Sequence, residues 1–346
     1  MITMTVTTFL FVMCANVASS NANYFHVMPS MNASCPQEPC LTLSQLIGNI
    51  SQYYGGYNNN MTLIFHPGNH NLSTELSVAA TNNFSMIGTS VRYDDTAFVR
   101  CFGQLGRFQV RNSTFVWIKG LHFIGCRGNE IVQVKDLVLE NATFHGVSLG
   151  SWNSSLVLHR VANGEIVKSA FLLNSNRAYY GGGGAMYISE STVSITDGYF
   201  ASNSAYYHHG GVVYSLNSTL TITTSHFADN SAFNGGVIYS SSSSFNVSHS
   251  NFTNNTALHS GASWSSSDIV KGTGGVIYAH ASFFIINCSI FTNNTASYNR
   301  VSQSRSDTGS MTGTGGVMYT YYSSFSIGFS IFIGNRDFPF CLDPTN

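Results

Sequence analysis

Residues 235–255 read GGVIYSSSSSFNVSHSNFTNN, and residues 210–230 read GGVVYSLNSTLTITTSHFADN. Set one above the other, they share a Gly-Gly doublet, a Tyr, and a terminal Phe-x-x-Asn. The doublet recurs as GGAMY at 183–187, GGVIY at 274–278 and GGVMY at 315–319. Phe200/Asn203, Phe227/Asn230, Phe252/Asn255, Phe291/Asn294 and Phe332/Asn335 follow, and first Gly to Phe is seventeen residues in all five copies. Between these landmarks Ser191, Ser218, Ser243, Ser282 and Ser323 share one column; Val193, Leu220, Phe245, Phe284 and Phe325 share a second; Ile195, Ile222, Val247, Ile286 and Ile327 share a third. The apolar columns are two residues apart with polar residues between them, which is strand alternation.

From Phe to the next doublet the spacing instead runs 12, 10, 8, 22 and 24 residues, counted from Phe171. One part of each unit is fixed in length and the other accepts insertions. A repeat of this size built from short strands is one coil of a parallel β-helix, and no unit holds an amphipathic stretch long enough for two helices. Stacked coils lie about 4.8 Å apart, so like residues sit on like residues. Phe on Phe and Ile on Ile fill a dry core, and Asn on Asn passes amide hydrogen bonds along a ladder. Asn also tolerates the left-handed conformation that corners demand, and the Gly doublet supplies positive φ and close backbone approach. The sequence leaves the Tyr column open: Val237 and Tyr239 alternate onto one face and Ile238 onto the other, both apolar, so the column is either core or an outward aromatic stripe.

Composition agrees. Charged residues are 8% of 346 and the net charge is −1, which removes the electrostatic footprint expected of a nucleic-acid binder and the Glu/Lys-rich wet face of a helix bundle. Upstream, FIGC at 123–126 and FLLN at 171–174 are early forms of Phe-x-x-Asn. LTLSQLIGNISQYY at 41–54 spaces Leu43, Leu46, Ile47, Ile50 and Tyr54 as a helix, the cap that a solenoid's first coil needs. The expectation is an all-β, single-stranded right-handed parallel β-helix (a solenoid) with an N-terminal capping helix. It divides into a signal peptide over 1–20, a cap with a short helix over 23–60, irregular coils over 61–170, regular coils over 171–337, and a tail over 338–346 that stops as if truncated.

The first twenty residues carry an apolar stretch from Phe9 to Val17 followed by small residues, the pattern of a secretory signal peptide. Fourteen Asn-x-Ser/Thr sequons follow, and glycans there would supply the solubility that charge does not. The glycosylation candidates are Asn32, Asn49, Asn60, Asn71, Asn112, Asn141, Asn153, Asn217, Asn246, Asn254 and Asn293; Asn83, Asn251 and Asn287 complete the set. After Cys14 leaves with the signal, six cysteines remain, an even number suited to an oxidising compartment. Cys101 and Cys126 are 25 residues apart, one coil, so stacking brings them within disulfide range. Cys35 and Cys40 bracket a local loop; Cys288 and Cys341 are paired only by elimination, in different columns. No further stretch is long enough to span a bilayer, so no membrane insertion is expected.

The doublet followed by Phe-x-x-Asn over residues 171–335 resembles the repeats of bacterial polymorphic outer membrane proteins. SCPQEPCLTL at 34–43 and FHPGNHNL at 65–72 resemble uncharacterised secreted β-helix proteins of marine invertebrates. The resemblance implies a right-handed coil and an adhesive role, although nothing here is similar to an autotransporter barrel and the sequons suit a eukaryotic secretory route.

A catalytic site would need converging carboxylates, and in sequence they are scattered: Asp94-Asp95 is the one adjacent pair, and Asp197, Asp229, Asp268 and Asp307 stand singly. His66/His70 and His208/His209 have no third ligand nearby in sequence, and GGGG at 181–184 lacks the Lys-Ser/Thr of a phosphate loop. No metal or cofactor is expected. The reading is a glycosylated, non-catalytic binding or adhesion module, secreted or the ectodomain of a longer, membrane-anchored protein; a polysaccharide-active lyase or hydrolase and a structural matrix component are the alternatives. Its partner is an extracellular glycan or a cell-surface protein. The variable segments leave one corner of the coil and carry Tyr179, Tyr180, Tyr206, Tyr207, Phe233, Trp264 and Tyr298, either as a ligand edge or as spacers.

Overall fold

In a computed structural model the described residues are 23–30, 40–47, 60–89, 96–103, 105–126, 128–146, 154–177, 182–258, 272–297, 315–336 and 340–342. They form a parallel β-helix of three sheets with 19, 10 and 5 strands. One regular coil runs Val213–Leu216, Thr219–Thr223, His226–Ala228 and Ser231–Asn234. Each strand pairs in parallel with its counterpart one coil on, Tyr214 opposite Tyr239 and Phe227 opposite Phe252. The first two strands are two wings of the first sheet. Leu216 and Asn217 both face outward, and this break in alternation makes the corner between the wings.

The core follows the columns. Phe123, Phe144, Phe171, Phe200, Phe227, Phe252, Phe291 and Phe332 stack at centroid separations of 4.7–5.3 Å. A second Phe stack runs through Phe245, Phe284 and Phe325 at 4.6 and 5.2 Å.

Each corner is turned by a residue of positive φ, and its chemistry differs from expectation. In one coil these are Asn217, Thr224 and Asp229, with φ of 48°, 48° and 54°. The left-handed residue thus precedes the ladder Asn, which is itself buried. The inward residue after each corner supplies the acceptor that the backbone of the next coil cannot reach there. Ser218 N–H donates to Ser243 Oγ at 3.0 Å, Ser225 N–H to Ser250 Oγ at 3.1 Å, and Asn230 N–H to Asn255 Oδ1 at 3.0 Å. The fourth corner is the doublet. Gly210, Gly235, Gly274 and Gly315 have positive φ, and a Cβ on Gly236 would lie 2.2 Å from Gly275 O.

Departures from expectation concentrate at the ends. Asn23–Met28, within the segment expected as a cap, is a strand and pairs in parallel with Asn60–Phe65. Of the helix expected over 41–54, residues 43–47 are helical, with Leu43 and Leu46 buried in the core; 48–54 lie outside the described residues. Phe340–Leu342, expected in a tail, is a strand on Met318–Thr320.

Candidate functional site

Tyr187, Tyr214, Tyr239, Tyr278 and Tyr319 form a ladder on the outer face of the first wing, all half-buried. Their rings stack at centroid separations of 5.5, 4.8, 4.9 and 5.2 Å. The open question is settled because Val237 is not part of the strand that carries Tyr239: the strand is Ile238–Ser241. Val237 turns inward at the doublet corner, so both Val237 and Ile238 are fully buried and the Tyr is left outside.

Register extends this column beyond the rings. Ser77, Gln109, Glu130, Val157 and Tyr187 lie opposite one another in successive coils. At its upstream end the structure gathers charges that the sequence scatters. Arg107 contacts Glu75 at 2.7 Å and Glu130 at 3.8 Å; Arg111 contacts Glu130 at 2.8 Å, and Gln109 Nε2 donates to Glu130 at 2.6 Å. The expectation of dispersed carboxylates is therefore corrected. Coil stacking brings two of them onto one arginine across irregular coils whose register cannot be read from spacing.

Downstream, His208 and His209, beside the described part of the expected ligand edge, pack against the ladder. Tyr206 and Tyr207 lie on Ser204–His209, and Phe233 lies on Ser231–Asn234. His209 stacks on Tyr239 at 4.5 Å and tilts against Phe233 at 5.9 Å, and His208 lies 6.0 Å from Tyr214. Tyr206 meets Tyr207 edge-on and lies 5.5 Å beneath the Arg177 guanidinium. Burial, reinforced by neighbouring His208, lowers the His209 pKa to about 4. Burial, with Tyr214 and Tyr278 on either side, pushes the Tyr239 phenol up. His209 and Tyr239, stacked on each other, are therefore both uncharged at neutral pH. Tyr179, Tyr180, Trp264 and Tyr298 lie outside the described residues.

Cys101 and Cys126 are disulfide-bonded with Cα atoms 4.8 Å apart, the separation expected of adjacent coils. Cys40 is also disulfide-bonded; Cys35 lies outside the described residues. Cys288 is a free, exposed thiol. It occupies a left-handed corner after the second wing, whereas Cys341 sits in the strand that extends the first wing, so the pairing reached by elimination is not formed. Among the histidines, His26 Nδ1 and His66 Nε2 share a hydrogen bond of 2.9 Å, and buried His70 bonds His66 O through Nε2 at 2.7 Å. Among the described residues no three His, Cys, Asp or Glu side chains gather as a metal-ligand set, and no helix is long and apolar enough to cross a membrane.

Of the sequon asparagines, Asn71, Asn83, Asn112, Asn141, Asn217, Asn246, Asn254 and Asn293 are exposed, while Asn60, Asn251 and Asn287 are half-buried. Asn32, Asn49 and Asn153 lie outside the described residues. Asn112, Asn141, Asn217, Asn254 and Asn293 all have positive φ, which aims the side chain away from the coil. None of the eleven described sequons falls in the wing that carries the tyrosines or in the third sheet.

The fold defines the class, a parallel β-helix with one aromatic outer wing. No protein-family model matches the chain, and a search of curated proteins finds no match.

Proposed function

We propose that this chain is a secreted, glycosylated β-helix without catalytic activity, which binds an extracellular glycan or cell-surface protein through the tyrosine wing and its adjoining edge. The observation that carries the reading is that the outward aromatic ladder occupies a wing in which none of the described sequons lies. Half-exposed rings are favourable contact anchors, giving large apolar area with a hydroxyl at the tip. Glycans at the other faces would leave that wing uncovered. The disulfide agrees with an oxidising compartment.

The experiment is a glycan-array and cell-binding screen of the secreted protein, repeated with Tyr214→Ser and Tyr278→Ser together. Binding falls at least tenfold while cooperative melting is retained. Unchanged binding by the folded double variant removes the wing as the site.

A second reading, a polysaccharide-active enzyme, is favoured by the convergence of Glu75 and Glu130 on Arg107. Against it, each carboxylate is held by a guanidinium, and acid–base glycoside chemistry needs one carboxyl that can carry a proton. Bond cleavage in uronate or neutral polysaccharides that is lost in both Glu75→Gln and Glu130→Gln would establish the enzyme.

A further inference from the structure

We infer that the N-linked glycan on Asn217 does not project into solvent but lies along a groove of the protein's own surface, toward Phe283 and Tyr322. This rests on the reading of the chain as a glycosylated secretory protein, and goes beyond it in assigning the glycan a docked position.

Asn217, Ser242, Ala281 and Tyr322 occupy the same corner in four successive coils, all with positive φ. The two middle residues are small and the last is large, so the corner is a trough with Asn217 at one end and a tyrosine wall at the other. Alongside runs the outer column Thr219, Ser244, Phe283 and Ser324. Together these residues line a groove of about 600 Å³. Three coil steps of about 4.8 Å make it roughly 14 Å long, room for a short oligosaccharide.

The lining suits a sugar and little else. It holds no charged side chain, Thr219, Ser242, Ser244 and Ser324 contribute hydroxyls to its lining, and its two large apolar groups are exposed, Phe283 at 49% and Tyr322 at 51%. Sugar rings present hydroxyls at the rim and C–H groups on the face, which match hydroxyls beside an aromatic platform. The left-handed region is disfavoured for a bulky aromatic, and Tyr322 adopts that conformation while remaining half out of the protein. The sequon Asn217-Ser218-Thr219 opens directly into the groove: Asn217 is exposed and Thr219 is itself part of the lining. The occupant is therefore tethered at the mouth. Asn141 is the natural comparison, an exposed sequon at a left-handed corner away from this groove.

The test is to express the full chain in a glycosylating secretory host, map occupancy by glycopeptide mass, and follow removal of each glycan from the native protein by a peptide-N-glycanase. The Asn217 glycan is expected to be released at least tenfold more slowly than the Asn141 glycan, and at the same rate once the protein is unfolded. Phe283→Ser, an exposed change that leaves the core stack alone, is expected to raise the native rate at Asn217 at least threefold and leave Asn141 unmoved. Equal native rates at the two sites, or no response to Phe283→Ser, overturn the docked position. An Asn217 left bare while other sequons are filled overturns it too, with the secretory reading intact. A chain with no sequon filled overturns both.

Discussion

Asn230 is the clearest place to measure what the side-chain ladder contributes. Its amide is fully buried and makes four hydrogen bonds. Nδ2 donates to Phe200 O and to Asn255 Oδ1, each at 3.0 Å, while Oδ1 accepts from Asn203 Nδ2 at 3.0 Å and from Asn203 N–H at 2.9 Å. Asn230→Ala removes all four and leaves the Asn203 N–H buried without an acceptor. With about 1 kcal/mol for each of the three side-chain amide bonds and about 1–3 kcal/mol for the orphaned N–H, the expected loss is about 4–6 kcal/mol. Thr221→Ala, on the outer face of the same coil, should stay within about 0.5 kcal/mol. Because each coil contacts only its neighbours, the loss can appear as local opening before global melting. The assay is therefore urea unfolding together with amide hydrogen exchange over 200–260. Asn230→Ala should lower the midpoint and speed exchange in the coils on both sides. If it behaves like Thr221→Ala in both measurements, the ladder is decoration and the corner argument fails.

Other outcomes follow from the same geometry. Cys126→Ser opens a 25-residue crosslink and should cost about 3 kcal/mol by loop entropy, seen as a melting difference from the parent that disappears when both proteins are fully reduced. Gly236→Ala drives a methyl to 2.2 Å from Gly275 O, so secreted yield should collapse, whereas Ser241→Ala on the same coil should be neutral. His209 titrates near 4 when folded against an ordinary 6.5, so the unfolded chain takes up its proton first as pH falls. Stability from this group is complete above about pH 6.5 and is lost toward pH 4. At pH 5 that amounts to about 2 kcal/mol at most. The difference in stability between the parent and His209→Asn should therefore shift in favour of the variant on going from pH 7 to pH 5; a pH-independent difference refutes the burial argument.

Stacking explains what could be read in advance. Where a coil has constant length, a column in the sequence becomes a column in space, so the Phe stacks and the Cys101–Cys126 bond were legible from spacing alone. The Tyr orientation was not, because a parity argument fails when a corner intervenes between Val237 and Tyr239. The second inward Ser column, Ser225, Ser250, Ser289 and Ser330, stands fifteen residues after the doublet in four copies and was available as a corner signal. Left-handed residues such as Thr224, His249 and Cys288 share no chemistry that would mark them; only their place before an inward Ser or Asn does. The Glu75–Arg107–Glu130 cluster was hidden for the opposite reason, since its members are separated by 32 and 23 positions in coils of unequal length.

The most direct test of the binding face is to put a glycan on it. Ser241 lies on the outer face of the tyrosine wing, one coil after Leu216. Ser241→Asn creates a sequon there with Ser243, in a wing where none of the described sequons lies. The protein is compared with its parent on the glycan array and on cells that the parent binds, after mass mapping confirms the added glycan. The account predicts normal secretion and folding with binding reduced at least tenfold, and recovery when the new glycan is trimmed enzymatically. Full binding by the protein with that site occupied would contradict it.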